Sequence, residues 1–162
     1  MTRVEAGQSL VFACALGGAM RPDFPFYAAF EQRGSRCAGD VRLLAQIADS
    51  GACVAAKDVS MAGIVGSLGM LLEWSGRGAE LDLDALPRPS DVPVANWLNC
   101  FPSFAFLLCV PPGREDECMA PFLARGLEAA VVGRIDDSGT VSLRLGDQTR
   151  VAVDVAVTGL GR

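Results

Sequence analysis

Two uninterrupted apolar runs constrain the fold of this chain more than any other feature of its sequence. Residues 9–16 form the first run and residues 104–110 form the second, and paired glycines at 17–18 and paired prolines at 111–112 follow them. A short apolar run that ends at glycine or proline is typical of a strand inside a sheet, buried on both faces. We therefore expect both segments to be core strands.

The remaining periodic segments alternate between helix and strand. Asp40 is the predicted N-cap of one helix and Gly51 its C-terminal glycine, and Ser60 is the predicted N-cap of the next. Helices are predicted over residues 40–50, 61–74 and 115–125, helical turns over 27–33 and 94–100, and further strands over 52–56, 79–83, 129–135, 140–145 and 150–157. This order predicts an α/β (α+β) fold, with a mixed sheet flanked by helices and a terminal β-meander.

Length and charge narrow the class of protein. At 162 residues we expect one domain spanning 1–162, because chains of this size rarely divide. Fourteen basic residues are outnumbered by 19 acidic ones, and the net charge of −5 disfavours nucleic acid and anionic membranes as partners. The uncharged stretch 92–113 is interrupted by prolines, whereas a spanning helix needs about 20 apolar residues, so no membrane segment is expected.

The absence of histidine and the pattern of cysteines limit the chemistry. Without histidine the chain cannot build a Ser–His–Asp or Cys–His centre, so any reaction must use carboxylates, Lys, Arg, hydroxyls or a metal held by oxygen. None of the six cysteines forms a C-x-x-C pair, and Cys14, Cys53 and Cys109 lie in apolar runs. We expect reduced thiols and a cytoplasmic location.

One segment has chemical character. Lys57, Asp58 and Ser60 follow a short apolar strand, and a helix with Gly63 near its start comes next. Helix N-termini favour phosphate oxygens, and a carboxylate such as Asp58 suits Mg²⁺. The alternative from the same residues is ordinary capping by Asp and Ser, with glycines that allow tight packing. We expect this junction, residues 58–63, to line the largest functional cleft or to lie at its rim.

The segment and its surroundings resemble a known family. Residues 56–64, 71–79 and 86–87 resemble the C-terminal domain of the aminoimidazole ribonucleotide synthetase-like superfamily, which includes thiamine-monophosphate kinase, selenophosphate synthetase and a hydrogenase maturation factor. Its signature is Asp-x-[Ser/Thr]-x-Gly-Gly-[Leu/Ile]. Asp58, Ser60, Gly63 and Ile64 match the signature, and Ala62 replaces its first glycine. Residues 99–108 and 130–135 resemble later strands of the family.

The resemblance implies a function shared with a second domain. Family members combine such a domain with an N-terminal domain that binds ATP and Mg²⁺, and the active site lies between the two. It implies a substrate-side domain of an ATP-dependent kinase or synthetase (a phosphotransferase or ligase) that acts on a small phosphorylated metabolite. Lys57, Asp58, Ser60 and Gly63 would face that substrate, and Asp58 could contact Mg²⁺.

Several expectations about partners and activity follow. The N-terminal ATP-binding domain is not within residues 1–162, so we expect it as a partner in cis or in trans. The isolated chain is expected to be inactive and to hold neither ATP nor Mg²⁺ tightly. Its 51% apolar content predicts a homodimer. The alternative function is a non-catalytic binding or assembly domain that retains the fold.

Overall fold

A computed structural model describes residues 4–155. Its strands are β1 Ser9–Cys14, β2 Phe26–Tyr27, β3 Ala55–Asp58, β4 Gly78–Asp82, β5 Phe101–Pro102, β6 Ala105–Val110, β7 Glu128–Asp136, β8 Thr140–Leu145 and β9 Gln148–Asp154. Its helices are α1 Phe30–Arg33, α2 Cys37–Ser50, α3 Gly63–Leu72, α4 Val94–Asn99 and α5 Glu115–Leu123, and a 3₁₀ turn over Gly34–Arg36 joins α1 to α2.

Seven strands form one mixed sheet in the order β3-β6-β1-β7-β4-β8-β9. All neighbouring strands are antiparallel except β4 and β8, which are parallel, and β2 and β5 form a separate two-stranded pair. Helices flank the sheet: α5 packs on β1 and β7, α2 packs on α5, and α3 contacts β3, β9 and α4. The predicted mixed sheet with flanking helices is confirmed.

The core is centred on the two apolar runs that the sequence singled out. All six residues of β1 are buried, and successive side chains of a strand point to opposite faces, so both faces of the sheet are covered there. In β6, Leu107 to Val110 are buried as well, and β6 and β7 pair with β1 on either side. Among the helices of residues 4–155, none is long and apolar enough to cross a bilayer.

Two details of the predicted fold are wrong. The terminal strands do not form a meander, because β4 lies between β7 and β8 and pairs with both. Asp40 is not an N-cap: α2 begins at Cys37, since the 3₁₀ turn leads directly into it, and Asp40 lies buried in its first turn. Gly51 does end α2 in a left-handed conformation, as predicted. Residues 156 and 157 of the last predicted strand lie outside the described residues.

Candidate functional site

The candidate site lies where an edge strand leads into a helix. Within residues 4–155, β3 pairs only with β6 and is the outermost strand on its side of the sheet. Its last residue, Asp58, stands opposite Phe106, and the next backbone N–H, that of Val59, donates to the carbonyl of Ala105. Val59 is buried, whereas Asp58 is exposed. The sheet therefore anchors the backbone and leaves the carboxylate in solvent.

Lys57 and Asp58 form an ion pair at this edge. The Lys57 Nζ lies 2.5 Å from the Asp58 carboxylate and also donates to the Asp58 carbonyl at 3.0 Å. The side chains are 28% and 59% exposed, respectively, so water screens the attraction and the pair contributes at most about 1 kcal/mol. Either side chain can therefore turn to a ligand at little cost.

The first turn of α3 carries no side-chain cap. The helix begins at Gly63 with Ala62 as its N-cap residue, and Ser60 does not cap it, contrary to the prediction. Instead, the Ser60 backbone N–H donates to the hydroxyl of buried Ser67 at 3.2 Å, and the Ser60 carbonyl accepts from the Gly63 N–H at 2.9 Å. One backbone and one side-chain hydrogen bond thus hold the segment before the helix, and no side chain caps the positive end of α3.

The backbone conformation at Gly63 requires a glycine. Its φ of +69° is unfavourable for any residue with a Cβ, and a Cβ here would overlap the Leu98 carbonyl oxygen and lie 3.0 Å from the Asn99 Cα. α4 is held in this position by buried Trp97, whose indole N–H donates to the Pro87 carbonyl at 3.0 Å. Tight packing against α4 therefore accounts for a glycine at this position, and contact of Gly63 with a substrate stays a prediction.

Sequence reasoning missed α4 as a neighbour of the junction. Asn96 and Asn99, with Ala95 and residues 20–25, line a cavity of about 390 Å³, and Asn99 also contacts Gly63. Two asparagines in an otherwise apolar stretch were the available signal. Residues 58–63 line neither this cavity nor another of about 430 Å³, which is lined by Arg36, Ala124, Arg125 and Gly126. That the junction lines the largest functional cleft or lies at its rim stays a prediction.

A metal ion at this site would need ligands from elsewhere. Within residues 4–155 no three His, Cys, Asp or Glu side chains are grouped closely enough to hold a metal ion. Mg²⁺ is commonly held by one or two carboxylates together with substrate phosphates and water. Asp58 therefore fits the role of a single protein ligand, shared with a bound phosphate or a second domain.

Comparison with known proteins identifies the family. Residues 28–146 match the family described as AIR synthase related protein, C-terminal domain, and the chain belongs to this family. The recognition made from the residues around Asp58 is thereby confirmed.

Two curated relatives illustrate the similarity. An uncharacterised protein of Synechocystis sp. is 36% identical over 153 residues, which covers 93% of this chain and 48% of that protein. The phosphoribosylformylglycinamidine synthase subunit PurL of Synechococcus sp. is 37% identical over 113 residues, 69% of this chain but 14% of PurL. The chain thus spans about half the length of the first relative and a small part of the second.

Solved structures share the fold. Thermotoga maritima PurL complexed with AMPPCP superposes with a TM-score of 0.77 at 14% identity, over 96% of this chain and 26% of PurL. HypE in a HypE–HypF complex gives a TM-score of 0.72 at 15% identity, over 94% of this chain and 54% of HypE. Sequence identities this low establish the common architecture alone.

Proposed function

We propose that this chain is the substrate-side domain of an ATP-dependent kinase or synthetase that acts on a small phosphorylated metabolite. One observation carries the proposal: in a member of this family, an exposed carboxylate, Asp58, shortly precedes the uncapped first turn of α3 in the chain. The backbone N–H groups of that turn suit a phosphate, and Lys57 adds a positive charge beside it. Ser60 is the hydroxyl nearest along the chain.

Mg²⁺ fits the same arrangement. Phosphoryl transfer depends on positioning and on neutralising phosphate charge, and a bound metal ion would supply part of that neutralisation. In this chain Asp58 would hold such an ion, once it releases Lys57, while the first turn of α3 binds a phosphate oxygen. A PurL relative has been crystallised with ATP, which supports ATP as the co-substrate.

The proposal includes a second domain. An ATP-binding domain, joined in cis or in trans, would complete the site, and the greater length of the curated relatives supports this. The isolated chain would then neither hydrolyse ATP nor hold ATP and Mg²⁺ tightly. A cytoplasmic location is part of the same proposal and is supported by the burial of five of the six free cysteines.

The alternative is a binding or assembly domain without catalysis. The observation that favours it is Trp74, which lies just beyond the C-cap residue of α3 and is 91% exposed. Exposed aromatic side chains are enriched in interfaces between proteins. Relatives are known in complexes, HypE with HypF and the PurL assembly named PurLQS, which supports a role in assembly.

A titration followed by NMR tests the main proposal. Ribose 5-phosphate, with and without Mg²⁺, is added to ¹⁵N-labelled chain while the backbone amides of residues 60–64 are observed. We expect weak binding that shifts these amides and that Mg²⁺ strengthens, because Asp58 would share the ion with the phosphate. In Asp58→Ala the strengthening by Mg²⁺ should disappear, whereas Asp49→Ala, an exposed carboxylate on α2, should behave as the wild type.

Two results would contradict the proposal. The first is an absence of any shift at residues 60–64, or a Mg²⁺ effect that survives in Asp58→Ala. The second comes from an ATPase assay with Mg²⁺ on the purified chain: turnover that Asp58→Ala abolishes would show a self-sufficient site and would remove the need for a second domain.

A further inference from the structure

A group of arginines lies away from the candidate site, where α1, α2 and α5 meet. Asp40 is fully buried, and it accepts hydrogen bonds from the Nε of Arg33 at 2.8 Å and from the Nε of Arg125 at 2.5 Å. Arg33 also donates to the backbone carbonyl of Arg125 at 3.1 Å, near the C-terminal end of α5. One carboxylate therefore accepts from two guanidinium groups, and the three side chains together carry one net positive charge.

Arg36 adds a further positive charge at the same place. Its guanidinium makes no hydrogen bond or ion pair with any other residue of 4–155, and its side chain is exposed. Its backbone carbonyl accepts from the Nη2 of Arg125 at 3.0 Å, which brings the two residues together. A third arginine beside an ion pair that is already positively charged leaves this corner with an excess of two positive charges.

The position of Arg125 is fixed in advance. A Cβ on Gly39 would lie only 2.6 Å from its Nη2, so the guanidinium packs closely on the backbone of α2. With Asp40 on one side and the Arg36 carbonyl on another, the group has little freedom left. A ligand that binds to Arg125 therefore has little side-chain entropy to overcome.

Arg36 and Arg125 line the cavity of about 430 Å³, and Ala124 and Gly126 complete its wall. No acidic side chain is among the lining residues, although the chain as a whole carries a net charge of −5. Guanidinium groups form paired, charge-assisted hydrogen bonds with phosphate-type oxygens. We infer that this cavity binds a small phosphate-type oxyanion between the guanidinium groups of Arg36 and Arg125, at a site separate from the junction at Asp58.

The test uses inorganic phosphate and the same labelled chain. Phosphate is titrated at constant ionic strength, with chloride as the replaced anion, and the Nε–H signals of Arg36 and Arg125 are followed by NMR. We expect both signals to shift with a common dissociation constant. In Arg36→Gln that constant should rise about tenfold, the loss of one charge-assisted hydrogen bond. Arg42→Gln replaces an exposed arginine on α2, the helix that follows Arg36, and this matched control should leave the constant unchanged.

The outcomes separate this site from the proposed function. Binding at Arg36 and Arg125 should be the same in Asp58→Ala, whatever happens at residues 60–64. Unchanged affinity in Arg36→Gln, equal losses in Arg36→Gln and Arg42→Gln, or an equal response to chloride and phosphate would overturn the inference. Arg36→Gln removes only an exposed side chain, and its melting temperature without phosphate should match that of the wild type.

Discussion

Individual glycines of α3 have opposite effects on stability. Replacing Gly63 with Ala would force a Cβ into a left-handed conformation and against the backbone of α4, at a cost of about 2–4 kcal/mol. In Gly69→Ala the added Cβ would lie 3.5 Å from the Val153 Cγ1, an ordinary contact, and the helix should gain about 0.5–1 kcal/mol. Urea denaturation of the two variants measures both free energies of unfolding. Equal effects would contradict the assigned role of Gly63.

Cysteine reactivity is a second property of single residues. Burial raises the pKa of Cys100 to about 11 and those of Cys109 and Cys118 to about 12. Burial also raises the pKa of Cys14 and Cys53, and Cys37 alone is not fully buried. We expect one thiol to react rapidly with Ellman's reagent at pH 8 in the native protein, and all six to react after unfolding without reductant.

The control for this experiment is Cys37→Ser, which should abolish the rapid phase. Fewer than six thiols in the unfolded, unreduced protein would reveal a disulfide and would also contradict the expected reducing compartment. Rapid reaction of several thiols in the native state would mean that the apolar segments around them open readily.

At the scale of elements, Asp40 ties three helices together. Burial raises the pKa of its carboxyl group, but the hydrogen bonds and charges of Arg33 and Arg125 outweigh this, so the pKa lies below its ordinary value. The carboxylate therefore stabilises the fold fully above its unfolded pKa near ~4, and this contribution is lost as the pH falls through the lower folded pKa. The free energy of unfolding of Asp40→Asn should be about 2–4 kcal/mol lower than that of the wild type at pH 7, because two arginines lose a charged partner.

Urea denaturation at pH 7, 5 and 3 checks this expectation. The difference between wild type and Asp40→Asn should be full at pH 7 and 5 and should shrink at pH 3. Asp49→Asn, an exposed carboxylate on the same helix, should show almost no difference at any of these pH values. If the difference in free energy of unfolding between wild type and Asp40→Asn does not depend on pH, Asp40 acts through packing rather than through its charge.

The sequence predicted elements better than it predicted their partners. The apolar runs identified β1 and β6 because consecutive apolar residues indicate a strand buried on both faces. Gly51 marked the end of α2 because the helix ends there in a left-handed conformation. Asp40 was assigned to the wrong role because its partner Arg125 is remote in the chain. The insertion of β4 between β7 and β8 left no local signal either, since strand order depends on tertiary packing.

At the candidate site, too, the sequence predicted the local elements but not their tertiary contacts. Asp58 was expected at the end of a strand and before a helix, and the structure has it there. The cap assigned to Ser60 was wrong because α3 begins only at Gly63, with Ala62 at the N-cap position. The hydroxyl of buried Ser67 accepts a hydrogen bond from the Ser60 N–H, a tertiary contact with no local signal in the sequence. The contact of Gly63 with α4 could not be foreseen, because it depends on how Trp97 anchors a separate helix.

For the whole molecule, we expect self-association through an apolar surface that includes Trp74. This side chain is 91% exposed, whereas Trp97, the other tryptophan, is fully buried. Light scattering at tens of micromolar, a range typical of weak association, should report a dimer. Trp97 is shielded from solvent. When dilution dissociates the dimer, any change in the quenching of tryptophan fluorescence should therefore come from Trp74.

Trp74→Ser should weaken the dimer, and Leu123→Ser, a half-exposed apolar residue on α5, serves as the control. Removal of a large aromatic side chain from the centre of an interface commonly costs more than about 1 kcal/mol. A strictly monomeric wild type would contradict the expected homodimer, and equal association of wild type and Trp74→Ser would exclude Trp74 from the interface.

The position of β1 in the sheet has a consequence for biosynthesis. Ser9 pairs with Val110 on one side and with Arg134 on the other, so the central strand is translated long before either neighbour exists. Folding that depends on such distant pairings is slow, and an unpaired apolar strand is prone to aggregation while it waits. The nascent chain must therefore keep the buried strand β1 out of wrong contacts until β7 has left the ribosome.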